Sequence, residues 1–171
     1  MHTFVLSDPA RCIGCRACEI ACVDAHMAED LGQAGERDLP FVPRINVVHE
    51  AEVTAPIQCR QCEDAPCLAV CPAGAIVHEG QTVRVLAERC FGCKTCMAVC
   101  PVGAMRVGRL PGSEERLLAY KCDLCVGREE GPACVAVCPA GALRILGEAE
   151  LQGISGGRRR NSALQVAFGR R

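Results

Sequence analysis

The chain has 171 residues and a formal net charge of −1, which limits it to one ordinary domain or two very small ones and makes no general case for nucleic acid or membrane binding. Its core-building residues are unusual: four Phe, one Tyr and no Trp stand against 17 Gly and 16 Cys. Aromatic packing cannot hold such a chain together.

The amino terminus, MHTFVLSDPARC, has no basic export region, and its short apolar stretch, Phe4 to Leu6, runs into Asp8 and Pro9. No apolar run is long enough for a membrane helix. The expectation is a cytoplasmic protein without direct membrane insertion. In that compartment, closely spaced cysteines bind metal more often than they form disulfides.

The first element is a cysteine quartet, CIGCRACEIAC, with Cys12, Cys15, Cys18 and Cys22. Cys22 is followed by VDAHMAED rather than by Pro and Gly, so its helix is predicted to continue to about Asp30. A loop with Gly32 and Gly35 leads to an extended segment, Phe41 to His49, apolar at Val42, Ile45, Val47 and Val48. The second quartet, CRQCEDAPCLAVCP, holds Cys59, Cys62, Cys67 and Cys71. After it, Ala75 to Val77 and Thr82 to Val85 flank His78-Glu79-Gly80-Gln81 and predict a hairpin. The third quartet, CFGCKTCMAVCP, holds Cys90, Cys93, Cys96 and Cys100. Met105 to Val107 and Leu117 to Tyr120, around Pro111-Gly112, predict another hairpin. The fourth, CDLCVGREEGPACVAVCP, widens its middle gap between Cys122, Cys125, Cys134 and Cys138. The chain closes on an acidic stretch from Glu148 to Glu150 and a basic tail with Arg158, Arg159, Arg160, Arg170 and Arg171, read either as solvated tail or as a docking segment.

Quartets one and three have the C-x2-C-x2-C-x3-C spacing of bacterial ferredoxins, and a proline follows the last cysteine in three of the four quartets, the second, third and fourth. Three thiolates on one loop can wrap a cubane only at very short separations on a turning backbone, which Gly14 and Gly92 permit. The fourth cysteine is expected to begin or lie within a helix leading away, where it ligates the neighbouring cluster. Four-cysteine zinc sites also use C-x2-C pairs, but with a longer stretch between them. A redox dithiol would leave most of the cysteines unexplained.

The units CPAGAI, CPVGAM and CPAGAL repeat from Cys71, Cys100 and Cys138. In each, proline turns the chain off the helix, glycine permits the turn and the apolar residue starts a strand. Val70, Val99 and Val137 are expected to supply apolar shell. Arg16 and Lys94, at equivalent loop positions, are read as tuning or docking charges or as exposed solubilising ones. Surface or packing roles are expected for the histidines, and Glu129 and Glu130 form a partner-contact loop or a solvated turn. No catalytic residue is evident.

Eighteen residues separate Cys71 from Cys90, whereas thirty-six separate Cys22 from Cys59. The shorter link favours pairing quartet two with three and therefore one with four. Sequential pairing, one with two and three with four, is the rival.

The quartets, CRQCEDAPC, CFGCKTCMAVCPVGAM, KCDLCVGREEGPACVAVCPAGAL and the terminal RRRNSAL together resemble the four-cluster iron-sulfur proteins of formate dehydrogenase and formate hydrogenlyase systems. More broadly, they resemble the iron-sulfur subunits of molybdopterin oxidoreductases. This resemblance implies an α+β fold of two bacterial dicluster ferredoxin-like units, the central one inserted into the outer one. Residues 1–50 plus 109–150 would form the outer unit, 51–108 the central unit and 151–171 the tail. It implies four [4Fe-4S] clusters on the ligand sets Cys12, Cys15, Cys18 and Cys138; Cys122, Cys125, Cys134 and Cys22; Cys59, Cys62, Cys67 and Cys100; and Cys90, Cys93, Cys96 and Cys71. The implied role is electron transfer between a molybdopterin or tungsten formate dehydrogenase and a hydrogenase or other redox protein, with no catalysis by the chain itself. An alternative is service to carbon monoxide dehydrogenase or another molybdopterin oxidoreductase. From a different class, the clusters would be structural or sensory parts of an interaction or maturation protein.

Overall fold

The computed structural model describes residues 3–27, 31–36, 40–111 and 113–167. In chain order its elements are β1 (Phe4–Ser7), α1 (Ala17–Asp24), α2 (Leu31–Glu36), β2 (Ile45–Glu50), β3 (Val53–Gln58), α3 (Pro66–Ala69) and β4 (Ile76–Glu79). They continue with β5 (Thr82–Val85), α4 (Thr95–Val99), β6 (Arg106–Leu110), β7 (Ser113–Tyr120), α5 (Ala133–Val137), β8 (Leu143–Leu146) and α6 (Glu148–Ala167). The fold is α+β, with cysteine-bearing short helices between two-stranded antiparallel ribbons: β1–β8, β2–β3, β4–β5 and β6–β7.

Two apolar cores form from different parts of the chain. One gathers Ile76, Val83, Met105, Leu118 and Ala119 around Cys90 and Cys96. The other joins Val5, Ile45 and Val47 to Leu143 around Cys18, Cys22 and Cys134. The two ends of the chain are also tied by backbone, since β1 pairs with β8 from Phe4↔Leu146 to Ser7↔Leu143. Helix α1 packs on α5, and buried Glu19 on α1 accepts the Val47 amide of β2 at 2.7 Å.

Proline sets where the cysteine helices stop. A residue before proline is driven out of the helical region, and Cys100 and Cys138 accordingly cap α4 and α5 with ψ of 114° and 106°. These cysteines therefore end their helices rather than begin new ones. Cys22 has no proline behind it and stays inside α1. That helix nevertheless stops at Asp24, earlier than Asp30; residues 28–30 lie outside the described set.

The loop expected at Gly32 and Gly35 is helix α2, and the extended segment becomes strand only from Ile45. Its partner β3 was hidden by Pro56, which removes a ladder donor. A two-stranded ribbon tolerates this loss because each strand is an edge. Both anticipated hairpins form, β4–β5 and β6–β7. The tail is instead helix α6, with Glu148 and Glu150 at its positive end. It buries no residue, and Gly153, Gly156 and Gly157 concealed it in the sequence. Arg170 and Arg171 lie outside the described residues.

Gly92 is required by both its torsion and its neighbours. Its φ is 72°, and an added Cβ would sit 2.6 Å from the Leu117 carbonyl oxygen and 2.8 Å from the Leu117 Cβ. Gly92→Ala is expected to destabilise the cluster-loaded protein by about 3 kcal/mol, through left-handed strain plus overpacking. Gly74 has a φ of 56° but open space around it, so Gly74→Ala should cost only about 1 kcal/mol. Anaerobic denaturant titration compares the two.

Candidate metal centres

All sixteen cysteines are free thiols. The repeated Cys-Pro-x-Gly-Ala unit shows how the sequence places three of them. In each copy the cysteine carbonyl accepts the glycine amide: Gly74 on Cys71 and Gly103 on Cys100, both at 3.2 Å, and Gly141 on Cys138 at 3.1 Å. These glycines have φ of 56°, 65° and 55°. The turn swings the following alanine amide onto the cysteine sulfur. Ala75 donates to Cys71 Sγ and Ala104 to Cys100 Sγ at 3.3 Å, and Ala142 to Cys138 Sγ at 3.2 Å. The next residue, Ile76, Met105 or Leu143, is buried.

Cys22 lacks that turn and obtains its donor from far along the chain. The Arg44 amide, just before β2, donates to Cys22 Sγ at 3.3 Å. The Arg44 side chain pairs with Asp123, which also takes His26 Nε2 at 2.9 Å, while His26 Nδ1 meets the Cys22 carbonyl at 2.7 Å. Burial opposes a charge on His26, but its hydrogen bonds to Asp123 and Cys22 outweigh this and lift its pKa to about 10. Burial likewise favours protonated Asp123, but His26 and Arg44 hold it well below the usual carboxylate range. His26 is thus part of a half-buried ionic network, not a surface or packing histidine. The hint in the sequence was its spacing, one helical turn beyond Cys22; nothing linked either residue to Asp123.

Three hollows are each lined by four thiols. Cys12, Cys15, Cys18 and Cys138 border one; Cys59, Cys62, Cys67 and Cys100 a second; and Cys71, Cys90, Cys93 and Cys96 the third. In each, three cysteines come from one quartet and the fourth from another. The remaining four also lie together. Burial first, and then neighbouring Cys122, Cys22 and Cys125, push the Cys134 thiol far up.

Other thiols resist ionisation as well. Burial raises Cys18 and Cys96 to about 11 and Cys122 to about 12. In these surroundings a bound cation, not solvent, must stabilise the thiolate. The hollow walls are apolar, with Val47, Val83, Ile76, Met105 and Leu143 among them. The valines of the C-x3-C spacers do not supply this shell: Val137 is 42% exposed, and Val70 and Val99 belong to neither core. Arg16 and Lys94 take left-handed φ of 59° and 68° at the starts of α1 and α4, with exposed side chains.

Soft sulfur donors in fours, dry walls and amides aimed at sulfur fit a [4Fe-4S] cube. Fold and donor set together define an iron-sulfur electron-transfer protein with four [4Fe-4S] clusters.

The model of the 4Fe-4S dicluster domain matches residues 51–148, and that of a 4Fe-4S binding domain matches residues 9–23. The chain belongs to the 4Fe-4S dicluster family. It is 44% identical to the electron transport protein HydN of Escherichia coli K12, over 96% of this chain and 99% of that protein. It is also 44% identical to the putative electron transport protein YsaA of the same organism, over 78% of this chain and 82% of that one. Hydrogenase-4 component A, again from Escherichia coli K12, is 41% identical over 44% of this chain and 33% of that protein.

Proposed function

We propose that the protein links a molybdopterin or tungsten formate dehydrogenase to a hydrogenase or another redox protein, and that it performs no substrate chemistry itself. The observation that carries this reading is the interleaving of thiols: each hollow takes its fourth cysteine from a different quartet. The ligand sets are Cys12, Cys15, Cys18 and Cys138; Cys122, Cys125, Cys134 and Cys22; Cys59, Cys62, Cys67 and Cys100; and Cys90, Cys93, Cys96 and Cys71. An outer unit from both ends of the chain then receives the central unit as an insertion, with ribbons β2–β3 and β6–β7 crossing the expected boundaries at 50/51 and 108/109 and Leu118 and Ala119 packing in the central core.

Bound clusters supply one-electron storage and transfer. The chain's own residues exclude water with apolar walls and point amide hydrogens at sulfur, which favours an added electron. All sixteen cysteines are used as ligands, leaving no thiol nucleophile. Free thiols committed to metal suit a cytoplasmic setting. Helix α6, which buries no residue and carries exposed Arg158, Arg159 and Arg160, offers a contact to a partner. The relatives support the partners: HydN is named an electron transport protein, and another relative is a hydrogenase component.

Anaerobically purified protein should contain about four irons and four acid-labile sulfides for each quartet. Zinc in their place ends the cluster reading. Purification from the native host with formate dehydrogenase and hydrogenase subunits attached tests the partners, and retrieval of other redox enzymes would redirect the assignment.

A further inference from the structure

A buried cation stands where the two proposed units meet. Lys121 is only 3% exposed and immediately precedes Cys122, while its side chain lines the hollow of Cys59, Cys62, Cys67 and Cys100. Its Nζ donates to the Cys122 carbonyl at 2.9 Å, to Gln61 Oε1 at 3.3 Å and to the Val83 carbonyl. Each of these acceptors is neutral. Among the described residues, no carboxylate lies within ion-pair distance of it, and Asp123, two positions away, is engaged by His26 and Arg44.

Gln61 holds this junction together. It lies between Cys59 and Cys62, is 1% exposed, and has a φ of 50°. Its amide reaches Cys59 Sγ at 3.4 Å and its Nε2 donates to the Cys122 carbonyl at 2.7 Å. Its Oε1 also accepts the Val83 amide at 2.9 Å. The ligand loops of two different hollows are therefore stitched together around one ammonium group.

An ammonium satisfied only by neutral oxygens is costly to bury unless a negative charge lies nearby. An all-thiolate cubane is net negative and becomes one unit more so on accepting an electron. We propose that Lys121 is the shared counter-charge of the cluster on Cys59, Cys62, Cys67 and Cys100 and the cluster on Cys122, Cys125, Cys134 and Cys22, raising both potentials relative to the clusters on Cys12, Cys15, Cys18 and Cys138 and on Cys90, Cys93, Cys96 and Cys71. The inference rests on the ligand sets given under the proposed function. Reduction adds one electron from the redox partner to one cluster, breaks no bond and leaves the ammonium in place, so the attraction strengthens at that step. Among the described residues the other two clusters have no buried cation: the side chain of Arg16 is 64% exposed, and Lys94 and Arg116 are exposed, although Arg116 donates to the Cys90 carbonyl at 2.7 Å, so water screens all three.

The test is an anaerobic redox titration of the full cluster-loaded protein, read by electron paramagnetic resonance, with Lys121→Met, Lys121→Arg and Gln61→Glu. In Lys121→Met, two of the four clusters should show a reduced-to-oxidised ratio about tenfold lower at a fixed potential, equal to about 59 mV for a one-electron couple. The other two should not move, and Lys121→Arg should restore the first pair. Gln61→Glu sets a carboxylate against the ammonium and should lower the same pair, even if Lys121→Met fails to assemble its iron. Unmoved potentials in an iron-replete Gln61→Glu protein overturn the proposal, as does an equal shift of all four clusters. Unmutated protein lacking iron and sulfide would overturn the ligand sets as well, so the two failures are distinguishable.

Discussion

Stripping iron from the reduced, anaerobic protein with a chelator will abolish its cooperative thermal unfolding and most of its far-ultraviolet circular dichroism. Apart from helix α6, with its 20 residues, the local elements cannot stand alone. Every ribbon has two strands, and an isolated two-stranded hairpin is at best marginal in water. Of the helices, α1 has eight residues and α3, α4 and α5 have four or five, well below the length that persists unaided. Six cysteines, Cys18, Cys22, Cys90, Cys96, Cys122 and Cys134, are themselves among the buried apolar residues. Removing iron leaves thiol-lined hollows in a fold with few large side chains to close them. Binding free energy is then folding free energy, as in small metal domains generally. A chelated protein that kept a sharp transition would show that the apolar cores suffice.

The second large effect concerns the exchange of cysteines. Cys22→Ala should remove or convert the cluster on Cys122, Cys125 and Cys134, lowering iron by up to about a quarter, while the cluster on Cys12, Cys15, Cys18 and Cys138 keeps its spectrum. Cys22 lies in the apolar core that contains Cys134 and is close enough to Cys122 and Cys134 to help burial raise both thiols. Under sequential pairing, the damage would fall on the cluster of quartet two instead. Electron paramagnetic resonance of the separate centres distinguishes the two patterns. Cys71→Ala is the matching test in the central unit, where the cluster on Cys90, Cys93 and Cys96 should fail. The loss should be accompanied by lower thermal stability, because each exchanged ligand joins two segments distant along the chain.

Much of the site was legible in the sequence because cubane chemistry demands local spacing. The quartets, the positive φ at Gly14 and Gly92, the β4–β5 and β6–β7 hairpins and the turns after Cys71, Cys100 and Cys138 all depend on residues a few positions apart. What was missed lacked a local signal. Pro56 masked β3, three glycines masked α6, and the spacer valines carried an apolar pattern without saying which way they faced.

By itself, the sequence determined the number of thiol groups, their division into four loops and the turn that aims an amide at each Cys-Pro cysteine, because short-range geometry and donor chemistry suffice for these. Only the tertiary structure decided what surrounds them. It brought Arg44 to the sulfur of Cys22 in place of the missing turn, set His26 against Asp123, and buried Lys121 and Gln61 between two ligand loops. Those contacts span from 22 to 97 positions along the chain. No periodicity encodes such distances, so they exist only once β1 meets β8 and the two cores close.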